Sequence, residues 1–401
     1  MMRTIQTTYR YRLTPTAAQE NLLMQFAGAR RWIWNWALGQ RIAHYQATRR
    51  TLPMRNLEAE LTRLKQQPET AWLRAMDSQS LQQALRDLEQ AYAAFFRRVR
   101  AGGRQTGFPR FKSRKTDPPR FRIPQRVTLA GAGVVVPKIG RIRLVVHRPL
   151  VGVTKSATFK REPDGHWYVC LVTAQQIAPR TERPVQTHVG MDVGLSRLAT
   201  LSTGATIPNP RWYRSQTRKL KRAQQALSRK APGSANRTKA RQTVARLHQK
   251  VRNQRNHFLH KLSTDLIRQY DLISIENLNV PGLAKTKLAT SVLDAGWGMF
   301  RAMLTYKADR ANTHLITVGR FFPSSKTCGA CGWVNPGLTL ADRVWTCQQC
   351  GVTHDRDANA ARTIDQEGLR LFDHLVAAGC AETQTACGDP VSPIGTVGAG
   401  R

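Results

Sequence analysis

The sequence predicts a multidomain α/β protein. Three observations carry that prediction. Its 401 residues exceed what a single core usually serves, so two to three domains are expected. Short apolar, β-type runs are interleaved with segments of helical periodicity. Four cysteines stand in two Cys-x-x-Cys pairs, the spacing of a small metal-stapled module. No apolar run approaches the ~18 residues of a membrane span, and "MMRTIQTTYRYRL" lacks the apolar centre of a signal peptide. The expectation is a cytoplasmic protein with no membrane partner.

Residues 3–13 alternate as a strand. Thr16 followed by Gln19 forms a capping box, and Leu22, Phe26, Ala29, Ile33 and Trp36 continue at helical spacing. Ser80 and Gln83 suggest a second helix start, leading into Leu81, Leu85, Leu88, Tyr92, Phe95 and Val99. Core packing explains these stripes; Arg30, Arg31, Arg41, Arg97, Arg98 and Arg100 are expected on faces open to a polyanion. From Gly102 the chain turns loop-like and basic, with Phe108, Phe111 and Phe121 between cations, a texture suited equally to base stacking and to anchoring a loop. The runs "RVTLAG", "GVVVPKIGRIRLVVH" and "SATFKREPDGHWYVCLVTA" predict a small antiparallel sheet or barrel. The first strand is expected to join it, making the helices an insertion.

"RTERPVQ" reads as a linker, and "THVGMDVGLSRLATLSTGATI" as two strands around a tight turn. Residues 211–264 are helical in pattern, broken at "APGSAN" into two antiparallel helices. A strand at "DLISIENLNV", a helix at "MFRAMLTYKADRAN" and a strand at "HLITVGR" precede the cysteines. The chain from Gly379 onward is small and Pro- and Gly-bearing, and is expected to be disordered.

Charge narrows the partner. Lys and Arg total 63 against 25 Asp and Glu, a net +38 spread along the chain. Self-repulsion on that scale calls for a neutralising polyanion, and nucleic acid fits through counterion release. No Asp or Glu occurs between Asp192 and Asp265, so the cations from Arg211 to Lys261 have no i,i+4 carboxylate on their own helices.

Cys328, Cys331, Cys347 and Cys350 match a four-thiolate zinc ribbon, with fifteen residues between the pairs and a Gly in each knuckle. Four protein ligands close the coordination, so this single zinc is structural. Cys170, Cys380 and Cys387 fall outside the pattern. Asp192 lies mid-strand in "VGMDVG", where an unpaired charge is costly unless it meets a cation, and Glu276 in "LISIENL" stands at the end of an apolar strand. Asp355 and Asp357 open a helix, where the dipole favours them. Any one of these has an ordinary reading as a cap or an ion pair. Together they suit a site for a pair of Mg²⁺ ions acting on a phosphodiester.

Taken in order, "YRYRLTPTAAQENLL", "RRWIWNWAL", "GFPRFKSRK", "VGMDVG", "SIENLNV", "FFPSSKTCGACG" and "CGVTHDRDANAA" resemble the TnpB family, transposon-encoded RNA-guided DNA endonucleases related to the type V CRISPR effectors. The likeness spans roughly residues 5–370. It implies a RuvC/RNase H-like nuclease core over 186–320 and 352–370, including the basic hairpin 211–264, with a zinc ribbon inserted at 321–351. It also implies an N-terminal, wedge-like β-barrel from 1–15 and 103–182, interrupted by a helical recognition lobe at 16–102, and leaves 371–401 as a tail. The resemblance makes Asp192, Glu276 and Asp357 the catalytic, Mg-binding acids; Asp357 is preferred over Asp355 because the family's Asp opens a D-x-N-A stretch. The implied partners are a guide RNA from the transposon end and double-stranded target DNA in a prokaryotic nucleoid, with no small-molecule substrate. Arg110, Lys112, Arg114, Lys115, Arg120 and Arg122, with Arg218, Lys219, Lys221 and Arg222, are the candidate nucleic-acid contacts. Two rival readings remain at this point: a guide-directed binder or repressor that does not cut, and a strand-transferring transposase.

Overall fold

The computed structural model describes residues 2–102, 106–179, 184–339 and 341–378. Its contacts divide the chain into two units, Met1–Pro179 with Ala235–Arg246, and Arg180–Ser234 with Leu247–Arg401.

The first unit begins with β1 (Arg3–Thr14), whose Tyr9, Tyr11 and Leu13 face inward between outward cations. Then come α1 (Ala17–Thr48), α2 (Met54–Leu64) and α3 (Ser78–Arg100). The capping box is present: Gln19 N–H donates to Thr16 Oγ1 at 3.3 Å, and Thr16 N–H to Gln19 Oε1 at 3.1 Å. α3 starts earlier than its serine suggests. Asp77 is the cap, accepting from Ser80 N–H at 3.0 Å while Arg126 neutralises it at 2.7 Å, and Ser80 becomes a buried first-turn residue. A carboxylate with its own cation makes the better cap.

Six further strands follow: β2 (Arg120–Ile123), β3 (Thr128–Ala130), β4 (Gly133–Val136), β5 (Gly140–Val145), β6 (Val153–Arg161) and β7 (Trp167–Ile177). They form one sheet with β1, in the order β2-β6-β7-β1-β5-β4-β3. β1 changes partner along its length, pairing antiparallel with β7 from Arg3 to Arg12 and with β5 from Arg12 to Thr14. Helices and sheet share a core: Phe26 of α1 lies 5.2 Å from Phe121, which stacks on Phe159 at 4.8 Å.

The expected barrel is not found, and no sheet among the described residues closes. Its end strands, β2 and β3, are joined by residues 124–127, so the sheet curls until its ends lie within a short connection of each other. No ladder forms between them. Pro124 removes a donor and Arg126, in the left-handed region at φ 64°, turns the chain away.

The second unit holds β8 (His188–Val193), β9 (Arg197–Leu201) and β10 (Thr206–Pro208), one more strand than the turn signals indicate. α4 (Trp212–Ser228) and α5 (Ala235–Gln269) flank the Pro- and Gly-bearing break. After them come β11 (Leu272–Glu276), α6 (Val280–Leu283), α7 (Ala289–Ala295), α8 (Trp297–Ala311) and β12 (His314–Val318). The cysteine region adds the hairpin β13 (Val344–Thr346) and β14 (Thr353–Asp355), and α9 (Arg356–Ala377) ends the described chain. The sheet order is β10-β9-β8-β11-β12; β8, β11 and β12 run parallel, and on one side β9 pairs antiparallel with β8 and β10 antiparallel with β9.

α9 runs through residues 371–377, so the first part of the expected 371–401 tail is helical. Residues 379–401, with Cys380 and Cys387, lie outside the described residues, as do residues 180–183 of the linker. No helix among the described residues is long and apolar enough to cross a membrane.

Candidate active site and metal centre

Two of the three acids meet through strand register. β8 and β11 pair parallel, with Met191 opposite Ile275, so Asp192 and Glu276 are the next residues along neighbouring strands. Both stand at the C-terminal ends of their strands, where open α/β sheets gather ligand-binding groups. The apolar residues before them, Val189 and Met191, Ile273 and Ile275, are buried and anchor the strands.

The third acid arrives on α9. Asp355 caps this helix, its Oδ1 accepting from Ala358 N–H at 2.9 Å, and Asp357 lies in the first turn. Two glycines seat the helix on the sheet. A Cβ at Gly190 of β8 would fall 2.2 Å from the Ala361 carbonyl oxygen, and one at Gly368 of α9 would fall 1.8 Å from Ser274 Oγ of β11. Any side chain there would lift α9 away. One helical turn before Ala361 is Asp357; two residues beyond Gly190 is Asp192. His188, two residues the other way, meets Asp365 at 3.1 Å. Helix and strand therefore run in opposite senses and bring Asp357 toward the strand ends.

Electrostatics records the convergence. Burial, then the charges of Glu276 and Asp357, push Asp192 up to about 8, with only Arg356 opposing. Asp355 does not figure among these causes; its oxygen is committed to the cap. Burial also raises Glu276, partly offset by the hydrogen bond it accepts from Ser324 Oγ at 2.5 Å. Asp357 is paired with Arg356 at 3.2 Å and Arg343 at 3.6 Å. Among the described residues Asp192 has no ion-pair partner. The three acids act on one another by charge at one end of the sheet, while among the described residues the four cysteines alone are gathered closely enough to hold an ion in this structure.

The four cysteine sulfurs all lie within 4.8 Å of one another. Cys328 and Cys350 are 3.7 Å apart and Cys331 and Cys347 3.6 Å, close to the ~3.8 Å edge of a tetrahedron of sulfurs ~2.3 Å from zinc. The cluster is compatible with structural zinc. His354 Nε2 sits 3.1 Å from Cys328 Sγ, where its N–H can donate to a thiolate.

The cluster is tied to α9 by groups that the sequence pattern did not single out. Buried Asn359 donates to the Thr327 carbonyl at 2.6 Å and accepts from Gly329 N–H at 2.9 Å. Gln366 donates to the Gly329 carbonyl at 2.9 Å, and Thr363 Oγ1 to the Ser324 carbonyl at 2.8 Å. The one available hint was that Asn359 and Thr363 follow Asp355 at i+4 and i+8, along one helix face.

The candidate nucleic-acid contacts divide. Arg218, Lys219, Lys221 and Arg222 are exposed on α4 and carry no carboxylate partner among the described residues. Arg114 and Lys115 are exposed in their loop, and Arg120 on β2. Arg122 is partly buried and donates to Ser156 Oγ at 3.2 Å. Arg110 is committed to Asp117 through two bonds of 2.9 and 3.1 Å. Lys112 lies 3.3 Å over the Trp34 ring, and burial, with Arg30 nearby, lowers it to about 7. It anchors the loop and is a poor phosphate ligand. The helical cations need the same correction: Arg41 is buried against Glu89, and Arg30 pairs with Asp87 at 2.6 Å. Phe121 is a core residue, whereas Phe108 and Phe111 are half exposed.

Three family profiles match the chain: "Probable transposase" of the IS605 OrfB type over residues 168–287, "Cas12f1-like, TNB domain" over 297–364, and "Helix-turn-helix domain" over 1–50. The last segment folds here as β1 and one long helix. A Streptomyces pristinaespiralis protein is 38% identical over 98% of this chain and 94% of its own length. InsQ of Escherichia coli (strain K12) is 32% identical over 89% of this chain and 90% of its own. Both carry the name "Putative RNA-guided DNA endonuclease". Among solved structures, a Cas12f1–sgRNA–target DNA complex aligns with 90% of this chain and 99% of its own at 14% identity, with a TM-score of 0.35, too low to define a shared fold. Identity sustained along nearly the whole length decides the matter: the chain belongs to the IS605 OrfB, or TnpB, family.

Proposed function

We propose that this chain is the RNA-guided DNA endonuclease of a transposable element, hydrolysing phosphodiester bonds of target DNA at a RuvC-like site formed by Asp192, Glu276 and Asp357. The observation that supports it is that these three acids stand at one end of β8, β11 and α9, where the charges of Glu276 and Asp357 act on Asp192 and Asp192 lacks an ion-pair partner among the described residues. The relatives' shared name supports the same activity, and neither the non-cutting binder nor the strand-transferring transposase is favoured.

As oxygen donors the carboxylates would hold a pair of Mg²⁺ ions, which when bound would supply an acidified water and neutralise charge on the leaving oxygen. The chain leaves Asp192 without an ion-pair partner among the described residues and orients Glu276 through Ser324. The four thiolates leave zinc no open position, so the ribbon's part is to hold residues 324–329 against α9. Base pairing by a guide RNA from the transposon end would read the target sequence, while exposed cations such as those of α4 hold backbones without specifying bases.

The test is direct. Protein purified with its bound RNA should cleave a matching duplex in Mg²⁺, and Asp192→Ala should abolish cutting while leaving RNA binding intact. Equal cleavage by the variant would overturn the assignment.

A further inference from the structure

We infer that the cavity beside Glu276 is a subsite for one unstacked nucleobase of the strand being cut, with Arg301 positioning the adjoining phosphate. This rests on the endonuclease reading above and adds to it the form of the substrate at the site.

The cavity has a volume of about 220 Å³. That is below the ~300 Å³ at which sites for whole drug-sized ligands begin, and leaves room for a single ring system. Its walls include Val193, Leu278, Val280, Trp297 and Phe300, and Glu276 and Arg301 bring its charge. Apolar and aromatic walls are what a base leaving its stack requires, since stacking tolerates any base. The cavity is continuous with the acid cluster because Glu276 belongs to both, and Val193 directly follows Asp192.

Arg301 supplies the charge argument. It is half-buried, and burial lowers its pKa. Its guanidinium donates to Asn277 Oδ1 at 2.9 Å, and among the described residues it has no carboxylate partner. A desolvated cation held by a neutral amide, on the residue next to Glu276, is arranged for an anion brought from outside. In a strand engaged by the acids, the nearest such anion is a backbone phosphate. Gly298 lines the same cavity and leaves it open, since a Cβ there would come no nearer than 4.0 Å, at Val280 Cγ1, to any atom beyond its own stretch of helix.

The experiment uses the RNA-bound protein and matched DNA targets carrying one abasic site, moved through about three nucleotides on either side of the cut. One position should slow cleavage by about tenfold, the effect of losing one stacked base. Gly298→Leu, which fills the cavity, should slow the intact strand by a similar factor and add little on that abasic strand. Arg301→Ala should raise KM for the intact strand, with Arg301→Lys recovering part of the loss. A flat abasic scan in a protein that Asp192→Ala inactivates would overturn the subsite and leave the acid site standing. Multiplicative effects of Gly298→Leu and the abasic site would also overturn it. Cleavage that survives Asp192→Ala would overturn the endonuclease site itself, and the subsite with it.

Discussion

Replacing Asp192 by Asn should stabilise the metal-free protein, by an amount that grows with pH. Burial, Glu276 and Asp357 raise this carboxyl from 3.8 to about 8. An acid whose pKa is raised by folding contributes its stability below the unfolded value, and that contribution is lost as pH rises through the folded one. Above about pH 4 the unfolded chain gains by ionising, whereas the folded chain does not until about pH 8. At ~1.36 kcal/mol per unit the penalty would reach ~5 kcal/mol by pH 8. Asp192 keeps some solvent contact, and screening brings the expected value to ~2–3 kcal/mol. Asn escapes the penalty at every pH. Urea unfolding in EDTA should therefore show Asp192→Asn gaining more at pH 8 than at pH 5, by about 2 kcal/mol. Adding Mg²⁺ should then stabilise the wild type more than the variant. Equal gains at the two pH values would mean that Asp192 titrates like a surface carboxylate, and the crowded-acid geometry would be refuted.

Other expectations follow from the same geometry. Gly190→Ala, which sets a Cβ 2.2 Å from a backbone oxygen of α9, should cost ~3 kcal/mol or more in chemical denaturation and most of the cleavage activity. Asn359→Ala leaves the Thr327 carbonyl and Gly329 N–H without their partner and should cost about 2–3 kcal/mol by the same measurement, with little change predicted for Gln349→Ala. Cys347→Ser should lower zinc content, measured by atomic absorption, and cut the cleavage rate by about tenfold or more through misplacement of the ribbon entry. Normal cutting by a zinc-free protein would refute that coupling. Substituting Gln for Arg218, Lys219, Lys221 and Arg222 together should weaken RNA binding and reduce the slope of log K against log salt by about 3.

What the sequence made legible was chemistry fixed by local spacing. Two Cys-x-x-Cys knuckles define a thiolate tetrahedron with no help from the rest of the chain. An acid at the end of an apolar strand is conspicuous because the strand period makes its cost visible, which is how Asp192 and Glu276 stood out. Cations were harder. Arg41 and Arg30 look like exposed helix charges until Glu89 and Asp87 arrive from α3, 48 and 57 residues away. Arg110 looks free until Asp117 folds back on it. Sheet closure was invisible for a similar reason, since strand periodicity specifies which face is buried and leaves open which edges pair. The seating of α9 was only half legible: a glycine two residues before Asp192 leaves room for a ligand or for backbone to come close without saying which, and it is the backbone of α9 that does so.

The crowding of thiolates and carboxylates in residues 347–357 follows from α9 serving both. Its first turn carries Asp357, and its next turns carry Asn359, Thr363 and Gln366, which grip the ribbon entry at Ser324, Thr327 and Gly329. Ser324, held by its carbonyl, returns its hydroxyl to Glu276 on β11. The path from the thiolate cluster to Glu276 is therefore a chain of hydrogen bonds through α9, each contributing about 1 kcal/mol. Losing one bond leaves the others to hold register. Losing the metal frees the loop at its root, so Asn359 and Thr363 would have to fix a mobile segment against its regained entropy. A zinc held by the four thiolates would thereby steady the orientation of Glu276 without touching it. Loss of zinc should for that reason depress the rate of cutting more than it depresses overall stability.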